Sequence, residues 1–197
     1  MKLFSYLNAA GEERLGIFVN GKHHDVAIVA KQFNLEVPAT MAAYLEGAIA
    51  GKESLKKIEA KIKSSPSAVS LPDDIKRLSP VPHPTTCRDA YAFRQHVAAA
   101  RRNRGMDMVP EFEQFPIFYY TNHRATFGEG ALSFEADHFR ELDFELEAAI
   151  VIGKGGKNIS AKEADTYIAG LMIFNDFSAR TLQMEEMKLS LGPAKGK

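Results

Sequence analysis

Two constellations hold residue types that could do chemistry: the acidic residues Glu145, Glu147 and Asp176, and the pair Asp89 and His96. Glu145 and Glu147 lie two apart in Asp-Phe-Glu-Leu-Glu, Asp143–Glu147. Side chains alternate along a strand, so both carboxylates share one face. That face reads Asp143, Glu145, Glu147, Ala149, Val151, and the other reads Phe144, Leu146, Ala148, Ile150, Ile152. Taken alone, the pair also fits an amphipathic strand with one wet face. The acidic face turns apolar at Ala149, however, which puts the carboxylates at the mouth of a core. Two carboxylates there need a proton or a cation between them, and a hard divalent metal bound through oxygen is the natural partner. Asp176, in Ile173–Arg180, ends an apolar strand and precedes a helix. It fits a helix cap shared with Asn175 and Ser178, or a third ligand at a strand's end, where open sheets place their sites.

Asp89 and His96 form the other constellation. They lie seven apart on a helix expected over Asp89–Arg104, on nearly the same face and about 10 Å apart. A ligand and a base acting on one substrate fit that separation. Individually, Asp89 also fits an N-cap and His96 a satisfied, partly buried histidine. Arg101, Arg102 and Arg104 complement the dipole at the end of the same helix, or clamp a carboxylate. The loop Gly153–Lys157 lacks the full phosphate-loop pattern and reads as a turn.

The positioning elements follow from pattern and punctuation. Lys2–Leu7, Arg14–Val19 and Lys22–Asp25 read as strands of a meander, with Asn20-Gly21 as a hairpin turn. Asp25 can cap a helix over Val26–Phe33. Thr40 can cap another from Met41 to about Ala50, stopped by Gly51, and Ser54–Lys63 is a third. Ser64–His83 is rich in Ser and Pro, holds a possible strand at Lys76–Pro80, and marks a domain boundary. Beyond it come an aromatic strand at Phe115–Tyr120, a turn at Gly128–Gly130, a strand at Leu142–Ile152, and a capping box at Ser160–Glu163 starting a helix to about Ile168. A buried strand at Gly170–Phe174 and a helix at Ser178–Leu189 complete the series.

Bulk properties narrow the class. Hydrophobic residues are 45% and charged residues 25%, the balance of a globular protein. Lys+Arg and Asp+Glu are both 25, so no global charge favours nucleic acid or an acidic membrane surface. One cysteine, Cys87, permits neither an intrachain disulfide nor a multi-cysteine zinc site. No apolar run approaches the roughly 20 residues that span a bilayer, and a cytoplasmic location is expected. The strands after residue 83 are too few to close a sheet, so the chain is expected to stop in the middle of a domain.

Arg88–His96, Asp143–Glu147, Phe174–Gln183 and Leu191–Lys197 together resemble the fumarylacetoacetate hydrolase family. The resemblance runs from about Arg88 to Lys197, and more weakly through the N-terminal segment. It implies an α+β chain: a small α+β N-terminal domain over 1–83, then the first part of a mixed β-sandwich roll over 84–197, usually homodimeric. It implies Asp89, Glu145, Glu147 and Asp176 as ligands of Mg²⁺, Mn²⁺ or Ca²⁺, and His96 as general base. Arg180 and Lys197 match residues that hold the reacting oxygens or an enolate, and Tyr91 and Gln183 match substrate contacts. The implied activity is C–C bond hydrolysis of small β-diketo acids, of fumarylacetoacetate or acylpyruvate type, in aromatic catabolism. Keto-acid decarboxylation, isomerisation and hydration are the family's alternatives. Two departures stand out. The glutamate that partners the family's histidine lies downstream of the lysine loop, so an inactive fragment needing further chain is another expectation. Met187 replaces a substrate-binding tyrosine of the fumarylacetoacetate-cleaving members, which bears on substrate rather than on chemistry.

Overall fold

A computed structural model of the protein describes residues 1–65 and 67–189, with residues 48–50 described in their backbone only. The chain divides into two compact units: Met1–Pro82 together with the chain from Phe127 onward, and His83–Thr126.

In the first unit, β1 (Lys2–Leu7), β2 (Glu13–Val19) and β3 (Lys22–Asp25) form an antiparallel meander, and β4 (Lys76–Arg77) pairs with β1. Asn20 and Gly21 join β2 to β3 with φ of 52° and 77°, the mirror-image turn whose twist suits a hairpin. Alternation turns Leu15, Ile17 and Val19 of β2 inward. They pack with Val26 and Val29 of α1 (Val26–Gln32), Met41 and Tyr44 of α2 (Met41–Glu46), and Leu55, Ile58 and Ile62 of α3 (Ala48–Ser64). The spacing of the last three is one helical stripe. Burying each such side chain stabilises by about 1.5–3 kcal/mol.

The expected caps form: Asp25 Oδ1 accepts from the Ile28 N–H at 2.7 Å, and Thr40 Oγ1 from that of Ala43 at 3.2 Å. Asp25 also accepts from Tyr6 at 2.6 Å and from Arg14 at 3.0 and 3.2 Å. Burial alone would push its carboxyl up. The bonds from Arg14, Tyr6 and the Ile28 N–H overrule burial and hold it below the ordinary value. Helix α2 does not run to Gly51. It ends at Glu46, Gly47 turns the chain, and Gly51 lies inside α3. A Cβ at Gly51 would stand 3.3 Å from the Tyr44 ring, so this glycine serves the close approach of two helices rather than a stop.

The second unit pairs β5 (Arg88–Ala90) antiparallel with β6 (Phe118–Tyr120), and α4 (Arg94–Asn103) follows β5. The helix expected over Asp89–Arg104 is therefore shorter, and its first residues are a strand. Pairing with an aromatic strand overrides local helix preference here. Asp89 and His96 thus share no helix face, and the separation inferred from one does not apply. The C-terminus of α4 closes as read: Gly105 takes a φ of 68°, and Gly105 and Met106 donate to the carbonyls of Arg102 and Arg101.

Past Phe127 the expected single strand is two. β7 (Leu142–Asp143) pairs with β10 (Ser178–Ala179), and β8 (Leu146–Ile152) pairs with β9 (Ile168–Asn175). Helix α5 starts at Arg180 and runs to Met187. Ser160 bonds the Glu163 carboxylate instead of a backbone N–H, and the chain makes turns and a 3₁₀ segment over Ala164–Tyr167 rather than an α-helix. β9 is not buried on both faces. Leu146, Ile150, Leu171 and Ile173 line one face of the β8–β9 ladder, each more than half exposed. Among the described residues, no helix is long and apolar enough to cross a membrane.

Candidate metal centre

The register of β8 on β9 builds the acidic cluster. Leu146 pairs with Asn175 and Glu147 with Phe174. One step further, Glu145 and Asp176 exchange both backbone hydrogen bonds, at 3.1 and 3.0 Å. They are therefore directly opposed, about 5.5 Å apart along the backbone pairing direction, with side chains on one face. Glu147, two residues on, shares that face. Each of Glu145, Glu147 and Asp176 offers a carboxylate oxygen within 4.8 Å of the others. Asp176 is buried, and the two glutamates are half-buried. Oxygens sharing one hard cation at about 2.0–2.6 Å are separated by no more than about 5 Å, so the donor set fits such an ion in number, type and spacing.

Arg180, at the start of α5, borders this cluster. Its Nη1 reaches Glu145 Oε1 at 2.8 Å, and its Nε and Nη2 reach Asp143 Oδ2 at 2.9 and 2.8 Å. Nη1 also donates to Gln183 Oε1 at 3.1 Å, one turn along the helix. Burial disfavours the charged guanidinium, but the bonds to Asp143 and Glu145 outweigh it and hold Arg180 above its ordinary pKa. Two expected functional residues, Arg180 and Gln183, are thus in direct contact.

In the second unit, Asp89 stands opposite Tyr119 in the β5–β6 register, and Tyr119 donates its hydroxyl to Asp89 Oδ2 at 2.7 Å. His96 lies in the first turn of α4, exposed, with its ring 6.3 Å from that of Tyr91. Lys197 lies outside the described residues. Of the other features, Lys154 stacks over the Tyr167 ring at 4.4 Å within its turn, and Arg101 donates to the Asp107 carbonyl. The residue that the sequence alone left unassigned is Asp143. Its only signal was its place on the face of Glu145 and Glu147.

Over 61 residues the chain is 49% identical to a fumarylacetoacetase of Oryza sativa subsp. japonica, covering 29% of this chain and 14% of that protein. A mitochondrial oxaloacetate tautomerase of Rattus norvegicus is 47% identical over 49 residues, 25% of this chain and 16% of that one. The chain thus spans a minor part of these relatives. Among solved structures, a fumarylacetoacetate hydrolase from Exiguobacterium antarcticum superposes with a TM-score of 0.64 at 23% identity, over 100% of this chain and 61% of that one. A maleylpyruvate hydrolase from a Sphingobium species, in complex with manganese(II) and pyruvate, gives 0.60 at 19% identity, over 91% and 60%. Both share the fold, with its mixed helix and strand content. The model of the fumarylacetoacetate hydrolase C-terminal family matches residues 85–197, more than half of the sequence, and the chain belongs to that family.

Proposed function

We propose that this protein is a divalent-metal-dependent hydrolase that cleaves a C–C bond in a small β-diketo acid of acylpyruvate or fumarylacetoacetate type. The observation that carries the reading is the opposed pair Glu145 and Asp176, joined by Glu147 and bordered by a fixed guanidinium. In this reading Asp89 is the fourth ligand for Mg²⁺, Mn²⁺ or Ca²⁺. The catalytic part is a mixed β-sandwich roll from residue 84, behind a small domain over 1–83, and the working form is a homodimer. The manganese and pyruvate of the Sphingobium hydrolase suit the same set of donors.

A divalent cation bound there supplies Lewis-acid polarisation of a substrate carbonyl. The chain's own residues do the rest. Arg180 holds substrate oxygens that carry negative charge, through N–H groups aimed by its carboxylate partners. Gln183 and Tyr91 orient the substrate around it. His96 takes a proton from water, and the water oxygen adds to the carbonyl carbon. The C–C bond then breaks, its electron pair passes to the departing α-carbon, and His96 returns the proton there. Lys197 is assigned to the oxygen of the departing fragment.

The test is a Mn²⁺ titration joined to an activity panel of acylpyruvate, oxaloacetate and fumarylacetoacetate. Glu147→Ala is expected to lose Mn²⁺ binding and turnover together, and His96→Ala to keep Mn²⁺ and lose hydrolysis. Full activity of Glu147→Ala without bound metal sinks the reading. The tautomerase among the relatives favours a second reading, a keto-acid isomerase, with decarboxylase and hydratase chemistry beside it. Oxaloacetate converted without cleavage selects it. The exposed apolar ladder face favours a chain that is inactive until that face is covered. Mn²⁺ binding with no turnover on any substrate selects that outcome.

A further inference from the structure

The face Asp143, Glu145, Glu147 carries three carboxylates, and the metal reading employs two of them. We propose that Asp143 is the positioning residue of Arg180, fixing its guanidinium so that it accepts the carboxylate of a 2-oxo acid beside the metal. The proposal rests on the reading of Arg180 as a substrate anchor.

Both oxygens of Asp143 are committed. Oδ1 accepts from the Phe144 backbone N–H at 2.8 Å, which sets the carboxylate's own orientation. Oδ2 takes two donors from Arg180, Nε at 2.9 Å and Nη2 at 2.8 Å. Two donors on one oxygen pin that edge of the guanidinium, and the bond from Nη1 to Glu145 at 2.8 Å completes the definition of its plane. The backbone supports the arrangement: Asp143 pairs with Ser178 across β7–β10, and Arg180 follows two residues later. Strand pairing therefore delivers the anchor and the anchored residue to the same place. Nη1 is left to Glu145 and Gln183. That end of the guanidinium touches the acidic cluster through Glu145, so it is the end placed to exchange a partner for a substrate carboxylate. The three acids of one strand face thus divide: Asp143 to the arginine, Glu147 to the metal cluster, and Glu145 to both.

The chain as it stands, loaded with Mn²⁺, is titrated with pyruvate by calorimetry. Asp143→Asn keeps an acceptor for the Phe144 N–H and loses the charge that fixes Arg180. It is expected to weaken pyruvate about tenfold while leaving Mn²⁺ affinity within about twofold and the Mn²⁺ electron-spin spectrum unchanged. Arg180→Met sets the floor, and adding Asp143→Asn to it is expected to cost nothing further. An equal loss in both backgrounds overturns the proposal, because Asp143 then acts otherwise than through Arg180. Unchanged pyruvate affinity in Asp143→Asn overturns it as well. Unchanged affinity in Arg180→Met instead removes the underlying reading of Arg180. Should Asp143→Asn not fold, Arg180→Lys decides. It keeps the charge without the fork, so affinity near the Arg180→Met floor supports a fixed plane, and wild-type affinity overturns it.

Discussion

Replacing Glu147 by glutamine is expected to stabilise the metal-free protein, the reverse of what most substitutions at a half-buried position do. Ligand oxygens of Glu145, Glu147 and Asp176 lie within 4.8 Å of one another. At that separation two like charges repel by about 1 kcal/mol in a water-like medium and about 3.5 kcal/mol at an effective dielectric of ~20. Glu147 faces two such neighbours. Arg180 offsets part of the charge on Glu145, and solvent screens the half-exposed glutamates. A net relief of about 1–2 kcal/mol remains, worth roughly 2–8 °C in Tm for a chain of this size. Mn²⁺ at a hundredfold excess over its Kd adds about 2.7 kcal/mol to the wild type and little to the variant. The two melting temperatures should therefore cross: variant above wild type in EDTA, wild type above variant in saturating Mn²⁺. Differential scanning fluorimetry over a Mn²⁺ series reads both. A Glu147→Gln protein that melts below wild type in EDTA, or that follows the wild-type Mn²⁺ titration, refutes the electrostatic argument for a cation site.

Two further expectations concern the scaffold. A Cβ at Gly128 would stand 2.4 Å from the Arg77 carbonyl oxygen, and one at Gly16 would stand 2.1 Å from the ring of Phe4. Backbone cannot yield as a half-buried ring can, so in chemical denaturation Gly128→Ala is expected to cost about 2–3 kcal/mol or more and Gly16→Ala less. The Tyr6–Asp25–Arg14 network gives a pH window. Asp25 titrates below its ordinary 3.8, so its contribution is complete above that pH and is lost as pH falls through the depressed value. Burial and the bond to Asp25 raise Tyr6 above its ordinary 10.0, so its contribution is complete below pH 10 and lost at higher pH. Tyr6→Phe should lower the plateau by about 1 kcal/mol and flatten the alkaline limb of a Tm–pH profile. An unaltered limb refutes the assignment.

Local signals proved sufficient where the chain satisfies itself locally. The Asn20-Gly21 turn and the Asp25 and Thr40 caps each need only a few neighbouring residues, and all three form as read. They were insufficient where a distant strand competes. Asp89 and Ala90 read as the start of an alanine-rich helix, but Phe118–Tyr120 recruits Arg88–Ala90 into a ladder. Gly51 reads as a stop, yet the Tyr44 ring needs its missing side chain. In the first case the deciding partner is a strand far along the chain; in the second it is a ring on the preceding helix, whose packing the pattern of residue types does not show.

The acidic face shows why a list of residues leaves a site half described. Alternation alone placed Asp143, Glu145 and Glu147 together, and that held although the strand breaks between Asp143 and Leu146. What was not legible is the partner each acid meets. The register is continuous across the break: Asp143 faces Ser178, Glu145 faces Asp176 and Glu147 faces Phe174. Asp143 therefore stands in the same row as the cluster, and Arg180, two residues past Ser178, reaches it there. That guanidinium gives the first carboxylate a cation of the chain itself, touches Glu145 as well, and leaves the rest of the row to the proposed cation. The spacing of the acids therefore specifies that a charge is needed, and the pairing of the strands specifies which charge each acid receives.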